Sequence, residues 1–409
     1  MSSALPTALP QADRAAEALP LAQPPLRIAV VTETYPPEIN GVAMSVHRLV
    51  EGLQGRGHDL QLLRPRQHPG DVAGASAGAA AGIQELLLPG LPIPRYPGLR
   101  LGLPAKRALL ALWRARRPDV VHIATEGPLG WSALQAARLL RLPVTSDFRT
   151  NFQAYSRHYG IGWLGRPILA YLRLFHNRTA ATMVPTQALA GELARSGLRH
   201  LRVVGRGVDA ARFDPARRSA ALRQAWGVAP QTLVLACVGR LAPEKNLGLL
   251  LQAFAAVRTV RPDSRLLLVG DGPARAGLLA ACPDLLLAGQ RCGDDLAAHY
   301  ASADLFVFPS MTETFGNVTP EAMASGLPVL AFDHAAAGQL IRNGVNGLLA
   351  PLGDSAAFVR QAVALAQDRL GAQALGRQAR ETALAHGWAN IVDQVEAILR
   401  QARAASPVH

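Results

Sequence analysis

Two doubly wound α/β domains, Rossmann-like and facing each other across a cleft, are predicted by three observations. Short apolar runs alternate with amphipathic helical stretches, the alternation occurs twice along 409 residues, and most runs end in a Gly-rich or polar turn. Unbroken apolar runs fit strands buried on both faces of a parallel sheet, and repeated strand–helix units build such sheets. The first set opens with the strand Ile28–Thr32, the loop TYPPEING and a helix over Val42–Leu53 that stops at Gly55 and Gly57. Strands follow at Leu60–Leu63, Glu85–Leu88, Val120–Ala124, Val144–Phe148, Ala181–Val184 and Leu201–Val204, with a Gly/Ala-rich loop at 65–82 and a Pro-rich, partly basic loop at 89–104. The second set comprises strands at Leu233–Val238, Leu266–Val269, Leu285–Leu287, Leu305–Phe308 and Pro328–Phe332, a helix at Leu247–Val260, and helical sequence over 354–404. These readings divide the chain into a tail at 1–25, a first domain at 26–205, a second at 206–375, and terminal helices at 376–409, which the pattern could assign to either domain and which are expected to pack back on the first. Ligands of such sheets sit at the carboxyl ends of the strands, so a cleft between the two domains is the expected site.

Composition narrows the chemistry. Hydrophobic residues make up 49% and charged residues 17%, which supports a core and excludes disorder throughout. Cysteines at 237, 282 and 292 form no CxxC pair, which argues against a disulfide scaffold or structural zinc and fits a reducing cytosol. The net charge is +13. Arginines are scattered without a run of five basic residues, and aromatics are only 5%, so nucleic acid is excluded as the partner in favour of an acidic ligand or an anionic membrane surface. Of 42 Lys and Arg residues only Lys106 and Lys245 are lysine. No stretch reaches the ~18 apolar residues that span a bilayer, and prolines interrupt residues 1–25, which lack a basic start. The expected protein is cytoplasmic and peripheral on the inner face of a membrane, with no signal peptide.

Two segments carry the chemistry. Glu313-Thr-Phe-Gly-Asn-Val-Thr-Pro-Glu321 follows the strand LFVFPS. Pro320 suits the first turn of a helix and Thr319 its N-cap. The N–H groups of Phe315, Gly316 and Asn317, beside a helix start, make an anion site. Gly239-Arg-Leu-Ala-Pro-Glu-Lys245-Asn lies between a strand and a helix. Arg240 and Lys245 aimed into the cleft suit a diphosphate, and a lysine among so many arginines argues for a compact point charge at that place. Gly270-Asp271-Gly272 starts a dinucleotide fingerprint, but Arg275 stands where its third glycine belongs. A nicotinamide oxidoreductase therefore fits poorly, and it leaves Lys245 and the two glutamates unexplained.

GRLAPEKN, the VGDGP turn, DLFVFPS and the E-x7-E segment resemble the retaining glycosyltransferases of family four, as do TYPPEINGVAMSVHRL, PDVVHIATEGPLG and SDFRTNFQAYSRHYG, in matching order over residues 27–370. Within that family the sequence is most similar to bacterial GDP-mannose-dependent α-mannosyltransferases and glycolipid glycosyltransferases. The resemblance implies the two-domain GT-B fold and a hexosyltransferase needing no metal or cofactor beyond its nucleotide-sugar co-substrate. The lead donor is GDP-mannose and the alternative a UDP-sugar, with a lipid or glycoside as acceptor. It implies that Arg240 and Lys245 neutralise the donor diphosphate and that Glu313 binds sugar hydroxyls. Phe315, Gly316 and Asn317 would cradle sugar and phosphate by their amides, Glu321 would accept from the ribose hydroxyls, and Gly41 would let the first domain approach the phosphates. His122, Glu126, Arg149, Tyr155 and His158 would line the acceptor side. Arg149 stands where family members often carry a histidine near the anomeric carbon. It cannot serve as a base; it either pins an anion or pairs with Asp147. A third class, a non-catalytic nucleotide-sugar-binding module, stays open on that departure.

Overall fold

The computed structural model describes residues 24–405 apart from 39, 69, 75–82, 94–95 and 150–164. Its first sheet holds β1 (Arg27–Val31), β2 (Asp59–Pro65), β3 (Ile83–Leu88), β6 (Val120–Ile123), β7 (Val144–Asp147), β8 (Ala181–Val184) and β9 (Leu201–Val203), all parallel in the order β3-β2-β1-β6-β7-β8-β9. β4 (Gly90–Ile93) and β5 (Tyr96–Gly102) form a separate antiparallel hairpin within the Pro-rich segment expected as loop. The second sheet is parallel in the order β12-β11-β10-β13-β14-β15. It comprises β10 (Val234–Val238), β11 (Arg265–Val269), β12 (Leu286–Gly289), β13 (Leu305–Phe308), β14 (Val329–Phe332) and β15 (Leu348–Ala350).

Helices cover both faces of each sheet. In the first domain these are α1 (Gly41–Gly55), α2 (Lys106–Ala115), α3 (Pro128–Leu139), α4 (Gly165–His176) and α5 (Gln187–Arg195). In the second they are α6 (Ala220–Ala225), α7 (Leu247–Val260), α8 (Arg275–Ala281), α9 (Gly293–Ser302), α10 (Val318–Ala324), α11 (Ala335–Leu340), α12 (Ser355–Gln367) and α13 (Arg369–Leu384). The last helix, α14 (Trp388–Ala404), returns to the first domain. Its Ile391, Val392, Val395, Ile398 and Leu399 join one apolar cluster with Val46, Leu49, Val50 and Leu53 of α1 and with β1. Packing is close enough that a Cβ on Gly52 would meet Val392 at 2.5 Å.

The terminal helices thus divide later than expected. α13 stays with the second domain, where Gly376 lies against the Gly326 carbonyl. The boundary at 375 is therefore corrected to 385–387: apolar contact with α10 holds the whole of α13, and only the sequence after Leu384 crosses back. The chain crosses twice, at 204–208 and at 385–387. The two crossings touch through a parallel bridge between Val208 and Gly387, with Val208 N–H donating to His386 O at 3.1 Å.

In both sheets the strand order reverses beside the first strand of the domain, between β1 and β6 and between β10 and β13. Such switch points open a crevice at the strand ends. The loops after β1, β6, β10 and β13 are therefore the ones placed to hold a ligand.

Candidate functional site

The second domain supplies two loops. The loop after β10 carries Arg240, Glu244 and Lys245, and the loop after β13 carries Ser310, Thr312, Glu313, Phe315, Gly316 and Asn317. Thr312 Oγ1 donates to Glu244 O at 3.2 Å and Asn246 Nδ2 to Pro309 O at 3.3 Å, tying the loops together. Lys245 Nζ pairs directly with Glu313 Oε1, which also accepts from Ser310 Oγ at 2.7 Å. The ammonium stands 5.9 Å from the Phe308 ring centre. Arg240 pairs with Glu244, its side chain 37% exposed. Each cation of the site thus meets a carboxylate supplied by the chain itself.

Gly270 and Gly272 support this arrangement from below. They hold φ of +138° and +157°, and a Cβ on Gly270 would sit 1.9 Å from Gly239 O, one on Gly272 2.4 Å from Leu241 O. The glycines that begin a broken dinucleotide fingerprint therefore serve close packing under the Arg240 loop.

Gly316, with φ +89°, turns the chain into α10. The helix begins at Val318, and Thr319 and Pro320 lie inside it. This corrects the expected start, because the Gly316 turn already lets its carbonyl accept from Thr319 N–H at 3.1 Å. Among the described residues, the N–H groups of Phe315, Gly316 and Asn317 donate no hydrogen bond. Phe315 itself is buried. On α10, Glu321 accepts from Tyr300 Oη at 2.9 Å, and burial pushes its carboxyl up to about 7.

The first domain meets these loops at Gly41, the first residue of α1. Asn40 caps this helix, its Oδ1 accepting from Val42 N–H at 3.0 Å and Ala43 N–H at 2.8 Å. A Cβ on Gly41 would stand 3.5 Å from Asn317 Nδ2 across the cleft. Gly41, Lys245, Glu313 and the amides of 315–317, far apart in sequence, therefore converge where the two switch points face each other.

The acceptor-side residues divide. His122 is fully buried, with Nδ1 3.0 Å from Thr145 Oγ1 and Nε2 3.4 Å from Asp147 Oδ2. It lies under the cleft floor, and its expected place on the acceptor wall is corrected accordingly: β6 is a central strand and turns that side chain toward β7. Glu126 is also buried, below the surface expected for it. Burial, reinforced by Glu33 and Asp147, pushes its carboxyl up to about 8, and its Oε1 has no partner among the described residues. Glu33, missed in the sequence, receives Leu129 N–H at 2.9 Å at the start of α3 and is pushed by burial up to about 7. Arg149 does pair with Asp147, through Nε and Nη2. Burial raises the Asp147 carboxyl, but the charges of Arg149 and His122 outweigh it and hold the group well below the usual range. Tyr155 and His158 lie outside the described residues.

Residues 39–212 match the family model "Glycosyltransferase Family 4" and residues 232–368 match "Glycosyl transferases group 1". A GDP-mannose-dependent alpha-mannosyltransferase of Mycobacterium tuberculosis is 36% identical over 373 residues, covering 90% of this chain and 95% of that protein. The chain belongs to glycosyltransferase family 4. The enzyme is a hexosyltransferase that draws on a nucleotide-sugar donor. The sulfoquinovosyl transferase SQD2 of Arabidopsis thaliana is 31% identical over 73% of this chain and 59% of its own. In three dimensions the transferase is similar to a sucrose-phosphate synthase of Thermosynechococcus elongatus, with TM-score 0.77 at 22% identity over 93% of this chain and all of that one. The fold is GT-B.

Proposed function

We propose that the enzyme transfers mannose from GDP-mannose, with retention, to a lipid or glycoside acceptor at a membrane surface. The reading rests on the Lys245–Glu313 pair, whose loop also carries Asn317, the residue that meets Gly41 across the cleft; the mycobacterial relative, named as GDP-mannose-dependent, supports the choice of donor. A donor diphosphate entering there exchanges partners with the protein. Lys245 and Arg240 take the phosphates, and Glu313, released from Lys245, accepts from hydroxyls of the sugar. The free amides of 315–317 add donors to the same charge, and the positive end of the α1 dipole favours it. As the glycosidic bond breaks, negative charge grows on the leaving diphosphate, and cations fixed beforehand stabilise that state more than the bound donor. Glu321, held by Tyr300, binds the ribose diol. Arg240 and Lys245 meet the charge a divalent metal would otherwise meet, so turnover is expected to survive excess EDTA; loss restored by magnesium or manganese would overturn this part.

A second reading is a UDP-sugar used to build a glycolipid; the sulfoquinovosyl relative is named for a sugar other than mannose. Thermal shift with each donor decides. A ligand at 100 times its Kd stabilises the folded state by about 2.7 kcal/mol. GDP-mannose is expected to raise the melting temperature and UDP-glucose to leave it unchanged. The reverse pattern would replace the first reading with the second.

A further inference from the structure

The hinge side of the cleft holds a second cationic centre, apart from the donor loops. Arg206 lies in the first crossing, between β9 and the Val208–Gly387 bridge. It makes no hydrogen bond or ion pair among the described residues. Asp147 and Arg149 are close enough for their charges to act on it. Arg149 already occupies Asp147 with two of its nitrogens, so one carboxylate stands against two guanidiniums.

The three side chains line a single shallow recess that is partly open to solvent. Apart from Ser45, whose hydroxyl donates to Gly41 O, its other side-chain walls are apolar, among them Leu49 of α1, Met183 of β8, and Trp388, Ile391 and Val395 of α14. A guanidinium partly buried among largely apolar walls, with no partner among the described residues, is costly. Burial, followed by the repulsion of Arg149, draws the Arg206 pKa down to about 9. An anion between the two arginines would relieve that cost through bidentate contacts, which the planar fork suits.

We propose that Arg149 and Arg206 form an anion-binding site that receives a carboxylate or phosphate carried by the acceptor substrate. This rests on the reading above, in which Arg240 and Lys245 hold the donor diphosphate. Every residue lining the recess belongs to the first domain, to the crossing at 204–206 or to α14, which packs on the first domain; none comes from the loops after β10 or β13. A charge bound here is thus separate from the donor's, and the apolar wall faces the uncharged remainder of the same molecule.

The test keeps the donor pocket filled. With GDP saturating, inorganic phosphate and, separately, acetate are titrated while thermal stability is followed. At least one of the two is expected to raise the melting temperature of the wild type, with a Kd at least tenfold weaker in Arg206→Gln and in Arg149→Gln. Arg206→Lys, which keeps the charge and much of the packing, should recover part of the affinity and guards against a variant that simply fails to fold. GDP must itself stabilise every protein used; failure at that step speaks against the donor reading and not against this site. The source of the anion is then assigned by transfer of radiolabelled mannose to a membrane lipid extract separated into anionic and neutral fractions. Label in the anionic fraction, with a raised acceptor KM and a smaller change in kcat for Arg206→Gln, supports an acceptor-borne anion. Equal anion affinity in wild type and Arg206→Gln, or label confined to the neutral fraction, overturns the proposal.

Discussion

Lys245 shows how a single side chain can be read from composition. In an arginine-rich chain a lysine is an unlikely choice for a solvated surface, and here it stands against Glu313 and near the face of Phe308. A guanidinium fork would overfill that space, so Lys245→Arg is expected not to restore activity. Lys245→Ala and Glu313→Ala should each lower kcat about 10²–10³-fold, the ~2.7–4 kcal/mol that one transition-state contact is worth, while circular dichroism stays unchanged; normal turnover in folded Lys245→Ala would remove the diphosphate role. Gly41, Glu313, Asn317 and Glu321 were also legible, because each belongs to a local motif that follows a strand. Arg206 was not. One arginine among so many carries no local signal, and its meaning comes from Asp147 and Arg149, nearly sixty residues away. Glu126 was legible as a strand-end carboxylate, but its burial depends on the packing of α3 and α4 and has no signature in its neighbours. That burial has a consequence for stability. A carboxyl raised from 4.5 to about 8 binds its proton more tightly when folded. Its contribution is fully present below the unfolded pKa of 4.5 and is lost as pH rises through about 8; each pH unit between those two values is worth about 1.4 kcal/mol. Glu33, raised to about 7, acts in the same direction. Glu126→Gln should therefore gain stability relative to wild type between pH 5 and pH 9 in denaturant melts. A constant difference across that range would contradict the buried, protonated carboxyl.

At the scale of elements, the long apolar strands and amphipathic helices were legible because burial on both faces leaves an unbroken apolar run. β15 was missed: three residues after Gly347 are too few to show a period. The β4–β5 hairpin was missed because its prolines read as loop, although an isolated antiparallel pair accommodates Pro at positions that donate no ladder bond. The double crossing was invisible as well, since it joins segments nearly 180 residues apart. Its packing is nevertheless specific. A Cβ on Gly207 would lie 2.7 Å from Trp388 Cα and 2.7 Å from its ring, so the backbone of the second crossing must move to admit it. Gly207→Val is expected to cost about 1–3 kcal/mol, the usual penalty of overpacking. Gly191→Ala, on exposed α5 with nothing within 4 Å of the new Cβ, should be neutral or stabilising by up to about 1 kcal/mol. Equal melting temperatures for the two variants would show that the crossing yields without cost, and the hinge would then not be fixed by this contact.

Over the whole molecule, α14 fastens the end of the second domain to the first, beside the crossing at 204–208. No described helix is long and apolar enough to cross a membrane, and an acceptor held in lipid must be met at the surface. One face of the first domain has the matching chemistry. The hairpin exposes Leu91 and Leu101, 56% and 40% accessible, and β5 leads from it directly into α2, whose Arg107 and Arg114 are exposed while Leu109 and Trp113 anchor the helix inward. Apolar residues at the tip beside cations suit an anionic bilayer, where each basic side chain near the surface contributes about 1 kcal/mol. The competing account is that the +13 charge reflects an arginine-rich composition spread without preference. Sedimentation with vesicles separates them. Binding is expected to vesicles containing phosphatidylglycerol and not to phosphatidylcholine alone, to weaken between 0.05 and 0.5 M salt as the Debye length falls toward about 4 Å, and to drop in the double variant Arg107→Glu, Arg114→Glu with thermal stability unchanged. If the double variant binds as well as wild type, this face is not the docking surface; if neither vesicle is bound at low salt, the acceptor is met in solution and the arginines of the first domain serve solubility.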